Sequence, residues 1–417
     1  MIDRIVITWL MYYYITPSDM GEPLLKPVVF GSILFIGRLI DAVADPLVAY
    51  WSDNFKGNKG RRTPFLRWGG ICYFLVFIGL FYPPVAGLSL VNTLYLTVFI
   101  GLYFLAFTLY VCPYLALLPE LARTKEDRVD LSTLRAVFTL VGVAIALVGS
   151  GLLINQLGFR GMIWSLGFLG LILMYLPTLI KEKDYAAGKP ATLNLREAIA
   201  TTFKNKAFCI YLIGNAAFWF GFNIVTLGLP FYVTVLLGLP EGETSIFFAA
   251  TFGVAILVFP VVNILAKRIG AKLVMVGSMT LFSVILPFFF FLGGDVGFLS
   301  AYNFSFLIMG ATGIPLASLF VLPDAIIASI TDVDETISGQ RREAMYFGVQ
   351  GLVLKIIMGL SSLVTSLLLQ FFGQTSASPL GVQLTGPFAA LFIAVGALVF
   401  YKYPEEKVLL AGKDVVL

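Results

Sequence analysis

Asp41 and Asp45 stand one helical turn apart in "LIDAVADPLVAYWSD", residues 39–53, inside a stretch that is otherwise close to hydrocarbon. With Arg38 they fall at i, i+3 and i+7, so a helix here carries three charges on one face. A charge at the middle of a bilayer costs ~2.5–3.5 kcal/mol even on the gentler insertion scale, so such a stripe must face protein or a watery cavity. A structural Arg38–Asp41 pair accounts for one carboxylate and not for Asp45. Two carboxylates ~6 Å apart along a helix axis can share a hard monovalent cation with hydroxyl or backbone oxygens, or hold a proton between them, since like charges resist joint ionisation. The trio reads as an ion site: Asp41 and Asp45 hold Na⁺ or H⁺, and Arg38 balances charge.

Two further cations lie in apolar runs. Lys355 comes about eleven residues into the run that starts at Ala344 and is expected to balance charge or respond to the bound ion. Arg135, near the start of its run, either snorkels to the interface or touches substrate. The chain has no histidine, which removes the commonest metal ligand and the usual acid–base residue. Cys72, Cys112 and Cys209 lack paired spacing and read as small apolar-segment residues. With no nucleophile–base or metal-ligand grouping, the reading is not an enzyme and needs no cofactor beyond a coupling ion. Tyr12, Tyr13, Tyr14, Trp219 and Phe220 read first as belt or packing residues.

The elements that must position these groups follow from composition. The chain has 417 residues, 59% hydrophobic and 12% charged, against ~25% charge in an ordinary globular domain. Apolar runs long enough to cross ~30 Å of hydrocarbon recur throughout, continuous rather than alternating, so an all-α membrane protein is expected and not a barrel. Spans are expected near 2–15, 28–50, 65–83, 91–118, 131–156, 161–180, 207–236, 244–266, 271–293, 297–322, 344–372 and 384–402. The first covers only ~20 Å, so either the helix is truncated at its start or it is short. No basic segment with an apolar run and small-residue site opens the chain, so no cleavable signal peptide is expected.

Basic residues alternate between connections. Lys56, Lys59, Arg61, Arg62 and Arg67 follow the second span, and later clusters run from Arg123 to Arg128, from Lys181 to Lys206, from Lys267 to Lys272, and at Arg341 and Arg342. The opposite loops carry Lys26 and Arg160. The positive-inside rule puts the basic loops and both termini in the cytoplasm, and explains the net charge of +4 without a nucleic-acid partner. The polar break 181–206 separates an N-terminal bundle, 1–180, from a C-terminal bundle, 207–403, with a cytoplasmic tail at 404–417. Within it, Leu193 to Phe203 has the pattern of a surface amphipathic helix. Basic, Gly-containing turns after the second and eighth spans hint at an internal repeat, and paired halves with a midplane site are a recurring transporter architecture.

At these residues the sequence resembles a known family. "IDAVADPLVAYWSDNFKGNKGRRTPF" is similar to the helix 2 signature of the glycoside-pentoside-hexuronide:cation symporters, a branch of the major facilitator superfamily. "CPYLALLPELARTKEDRVDLSTLR" and "DVDETISGQRREAMYFGVQGLVLK" resemble its helix 4–5 and helix 11 patterns. The resemblance implies a major facilitator fold of about twelve helices in two pseudo-symmetric six-helix bundles, acting as a monomer in the plasma membrane and moving a sugar or glycoside with Na⁺ or H⁺ by alternating access. A cation-coupled carrier of a lysolipid is the alternative, and a non-transporting sensor a further one. It assigns Asp41 and Asp45 to the cation, Arg38, Arg135 and Lys355 to substrate or charge balance, and Asp53, Arg61, Arg62, Glu120, Arg128, Arg341 and Arg342 to a cytoplasmic gate. Two positions depart from the pattern in its melibiose-carrying members: Val111 stands where they have an acid on helix 4, and their helix 1 acid would fall just before Met1.

Overall fold

The computed structural model describes residues 1–55, 60–121, 131, 134–135, 138–139, 141–179, 202–297, 299–338 and 343–405, with backbone alone at 118–120, 337–338 and 343–344. Among them the regular elements are helical; isolated β-bridges occur in turns, as at Val296–Leu299 and Thr375–Ser378. In a bilayer each helix satisfies its own backbone groups, which is why the apolar runs take this form.

Two compact units emerge. The first comprises Met1–Thr192 with Leu239–Ser245, the second Leu193–Gly238 with Ile246–Leu417. The first contains α1 (Ile2–Tyr14), α2 (Pro27–Asn54), α3 (Thr63–Leu80), α4 (Leu90–Leu121) and α5 (Ser150–Tyr175), the last entered through a π turn and left through a 3₁₀ turn, Leu176–Leu179. The second contains α6 (Lys206–Phe231), α7 (Thr244–Ile269), α8 (Ala271–Ile285), α9 (Ala301–Ala311), α10 (Gly313–Ser338), α11 (Glu343–Phe372) and α12 (Leu380–Phe400).

Ten stretches among the described residues are long and apolar enough to span a bilayer. One of them, Val141–Leu179, is interrupted at Gly158, whose φ of 68° and ψ of 178° are open to glycine and leave the helical region. That break falls between the expected fifth and sixth spans. Its two legs answer to the expected fifth and sixth spans, and α1, of 13 residues, to the expected short first one. The tenth differs: α9 and α10 run to Ser338, well past the expected end at 322. Hydropathy falls after Pro323 as Asp324, Asp332, Asp334 and Glu335 appear, yet nothing there breaks a helix, so it continues as a polar extension. The expected surface helix at 193–203 lies largely outside the described residues.

Within the first unit α1 is anchored at several heights. Trp9 donates Nε1–H to the Ser150 hydroxyl at 2.8 Å, and Tyr13 and Tyr14 donate to the carbonyls of Phe81 and Leu80 at 3.0 and 2.8 Å. Tyr12 is buried and donates to Glu241 at 3.5 Å, so this tyrosine run serves packing and tethering. Helices α2 and α4 meet closely at Gly37, where a Cβ would overlap the Ile100 and Phe104 side chains. Small residues permit such close approach where lipid supplies no hydrophobic drive for helix association. In the second unit Trp219 and Phe222 meet Phe320 edge-on, and Phe220 packs on Phe392.

Candidate functional site

Helix α2 begins with Pro27 in its first turn, where the missing N–H costs no helical bond, and runs for 28 residues. Arg38, Asp41 and Asp45 occupy its middle. Asp41 is fully buried, the Arg38 side chain is 10% exposed and Asp45 is half-buried, so this polar stripe is turned toward protein. Pro46 follows Asp45 and supplies no N–H, which takes the Ala42 carbonyl, lying between the two acids in sequence, out of the helical ladder.

Helix α4 contributes the group that joins the acids. The Thr108 hydroxyl lies 2.9 Å from Asp41 Oδ1 and 3.3 Å from Asp45 Oδ1. One hydroxyl proton serves one carboxylate at a time, so the oxygen also presents lone pairs among the acid oxygens. One turn further on, Cys112 donates its thiol to the Asp45 carbonyl at 3.9 Å. A hydroxyl oxygen thus lies beside both acids, although α2 by itself could not name it.

Arg38 lies on the other side. Its Nη1 is 3.4 Å from Asp41 Oδ2, its Nη2 is 3.8 Å from Asp3 Oδ1, and its Cζ sits 4.6 Å over the Phe104 ring. Asp3 Oδ1 also accepts from Tyr103, whose hydroxyl pairs with that of Tyr73 at 3.0 Å. Arg4 lies within electrostatic range of Asp3, Arg38 and Tyr103. Among the described residues the assembled set includes the Asp3, Asp41 and Asp45 carboxylates and the Arg4 and Arg38 guanidiniums, from α1 and α2.

The remaining expected residues distribute as follows. Asp53, at the end of α2, accepts from Arg62 Nη2 at 2.9 Å just before α3, and Arg61 lies half-buried in the same turn. Arg135 is exposed and its carbonyl accepts from Thr139 at 2.7 Å. Lys355 is half-buried on α11. Glu120 belongs to α4 with its side chain outside the described residues, as are Arg128, Arg341 and Arg342 altogether. Sequence reasoning missed Asp3, Thr108, Tyr73 and Tyr103. Asp3 carried a signal, an acid in the opening apolar run. Thr108 had only its position one turn before "VCPY".

Among the described residues no group of three or more His, Cys, Asp or Glu side chains could hold a metal ion. Any cation here is met by two carboxylates with hydroxyl or carbonyl oxygens, a donor set of hard oxygen atoms.

Ten membrane-length apolar stretches among the described residues, with buried opposite charges at mid-helix, mark a polytopic membrane protein of the transporter class. The chain belongs to the MFS/sugar transport protein family, which it matches over residues 1–404, and the resemblance seen in its motifs is borne out. It is 22% identical to an uncharacterized symporter of Synechocystis sp., with 90% of this chain and 87% of that protein covered. It is 21% identical to the isoprimeverose transporter of Lactiplantibacillus pentosus, with 95% and 85% covered. The fold matches the crystal structure of the nucleoside transporter NupG at a TM-score of 0.67 and 15% identity, covering 95% of each chain.

Proposed function

We propose that the chain carries a small sugar or glycoside into the cell together with one monovalent cation, Na⁺ or H⁺, by alternating access. The observation that carries this reading is the Thr108 hydroxyl poised 2.9 and 3.3 Å from the two acids of α2. The buried Asp41 and half-buried Asp45 on one helix face give a monovalent cation or a proton two carboxylates to meet. Low-dielectric surroundings strengthen the attraction of either to them.

In this reading the halves are 1–180 and 207–403, joined through 181–206, and both termini face the cytoplasm of a plasma-membrane monomer. Asp53 and Arg62 belong to the cytoplasmic gate with Arg61, Glu120, Arg128, Arg341 and Arg342; their 2.9 Å ion pair supports that role. Arg135 and Lys355 serve substrate or charge balance. The sugar class is supported by the family and by the relative that carries isoprimeverose.

The test is a substrate screen in proteoliposomes under imposed Na⁺ and pH gradients, offering glycosides and lysophosphatidylcholine as rivals. Gradient-driven accumulation of a glycoside, insensitive to the lysolipid, is expected. Uptake of the lysolipid alone, or glycoside binding without flux, would overturn the reading.

A further inference from the structure

Arg38 stands between two carboxylates and closes on neither. Its contacts of 3.4 Å to Asp41 and 3.8 Å to Asp3 are both longer than the ~2.7–2.9 Å of a closed charge-assisted bond. Each acid is met by a different terminal nitrogen, so a small rotation of the guanidinium tightens one contact and loosens the other. Phe104 beneath the guanidinium, with its centroid 4.6 Å away, favours in-plane adjustment over departure.

The two acids differ in what else they do. Asp41 shares Thr108 with Asp45, so its charge is the one an arriving cation needs. Asp3 sits outside that pair, on α1. It is held by the Tyr103 hydroxyl at 3.4 Å and, through it, by Tyr73. Among the described residues, the charged and titratable groups that interact with Arg38 include Asp3 and Arg4 from α1, Asp41 from α2, Tyr73 from α3 and Tyr103 from α4, with Asp45 one turn beyond Asp41. Arg38 thus acts as a tethered cation that competes with the mobile one for Asp41.

We propose that Asp3 is a positioning residue that takes up Arg38 when the coupling ion binds, and so sets the ion's affinity without touching it. This rests on the assignment of the cation to Asp41 and Asp45. Without the Asp3 charge, Arg38 settles on Asp41, and the incoming ion must displace it.

The test uses the purified full-length chain and needs no transported substrate. Thermal stability is followed against NaCl at constant ionic strength, held with choline chloride, and separately against pH, because a ligand that favours the folded state raises its melting midpoint. Asp3→Asn keeps an oxygen for Tyr103 and removes only the charge. It is expected to raise the half-saturating Na⁺ concentration about ten-fold, or to lower the proton-binding midpoint by about one pH unit if H⁺ is the ion, within the usual range of site–site coupling. Asp3→Glu is expected to restore much of the affinity. In the Arg38→Gln background the Asp3→Asn change is expected to have no further effect, since the influence runs through the guanidinium. Wild-type ion affinity in Asp3→Asn, or an equal loss in the presence and absence of Arg38, would overturn the inference and leave the proposed function standing. A wild-type chain that responds to neither ion overturns both.

Discussion

The two units solve the problem of buried polarity differently. In the first, the groups inside the helical layer are ionisable: Asp3, Arg38, Asp41 and Asp45 lie together on α1 and α2. In the second, the buried pairs described are neutral. Asn223 donates to Ser361 at 2.7 Å, Tyr211 to Gln350 at 2.9 Å, and Tyr232 pairs with Thr385 at 2.6 Å. Neutral pairs are satisfied locally and cost little, whereas an ionised cluster in low dielectric is held only by balanced charge and reacts strongly when that balance changes. If the proposed function holds, substitutions in the first unit's cluster should change the response to an ion, and those at the neutral pairs of the second should not.

The contrast can be broken most forcefully at Arg38. Arg38→Leu removes one partner of the buried Asp41 and is expected to destabilise the chain by about 3–5 kcal/mol without salt, the usual cost of removing one partner of a buried pair. Saturating Na⁺ or, for a proton carrier, mild acid should recover much of that loss in a thermal melt. A variant as stable as the parent would show that the cluster is not internally balanced.

Thr108→Val keeps the shape and removes the hydroxyl shared by Asp41 and Asp45. Loss of a hydrogen bond to a charged group is worth about 1.5–3 kcal/mol, so cation binding should weaken ten-fold or more, while Thr108→Ser should bind nearly as the parent does. Titration of the melting midpoint with NaCl or pH reads this directly.

In the second unit the effects should be smaller and independent of ions. Asn223→Leu removes the bond to Ser361, which still donates to the Met358 carbonyl, and should cost about 1 kcal/mol with cation affinity unchanged. Asn215 offers a sharper comparison: it is fully buried on α6, and its amide has no hydrogen-bond partner among the described residues. Asn215→Leu should therefore leave stability unchanged or raise it by up to about 1 kcal/mol, opposite in sign to the change at Asn223. A shift in ion affinity on either substitution would erase the division between the units.

How far the sequence revealed these features depends on whether a feature is carried by one helix or by several. Arg38, Asp41 and Asp45 were legible because spacing along a single helix fixes their common face. The interruption near 158 was legible because polar residues and glycines separate two apolar runs, and the backbone turns at Gly158. Asp3 and Thr108 were not assigned, because their relation to the acid pair arises only when α1 and α4 pack on α2. Val111 stands where the melibiose-carrying members have an acid, and the same helix offers an oxygen one turn earlier, at Thr108. Arg135 proved exposed, a placement that hydropathy alone could not distinguish from a buried one.

The most direct measurement compares exchange with accumulation for Asp45→Asn in the same proteoliposomes, using a glycoside that the parent accumulates. The account predicts that the variant still exchanges labelled glycoside across the membrane at equal concentrations but no longer concentrates it under a Na⁺ or pH gradient. Accumulation equal to the parent's would contradict the assignment of the coupling cation to this acid pair.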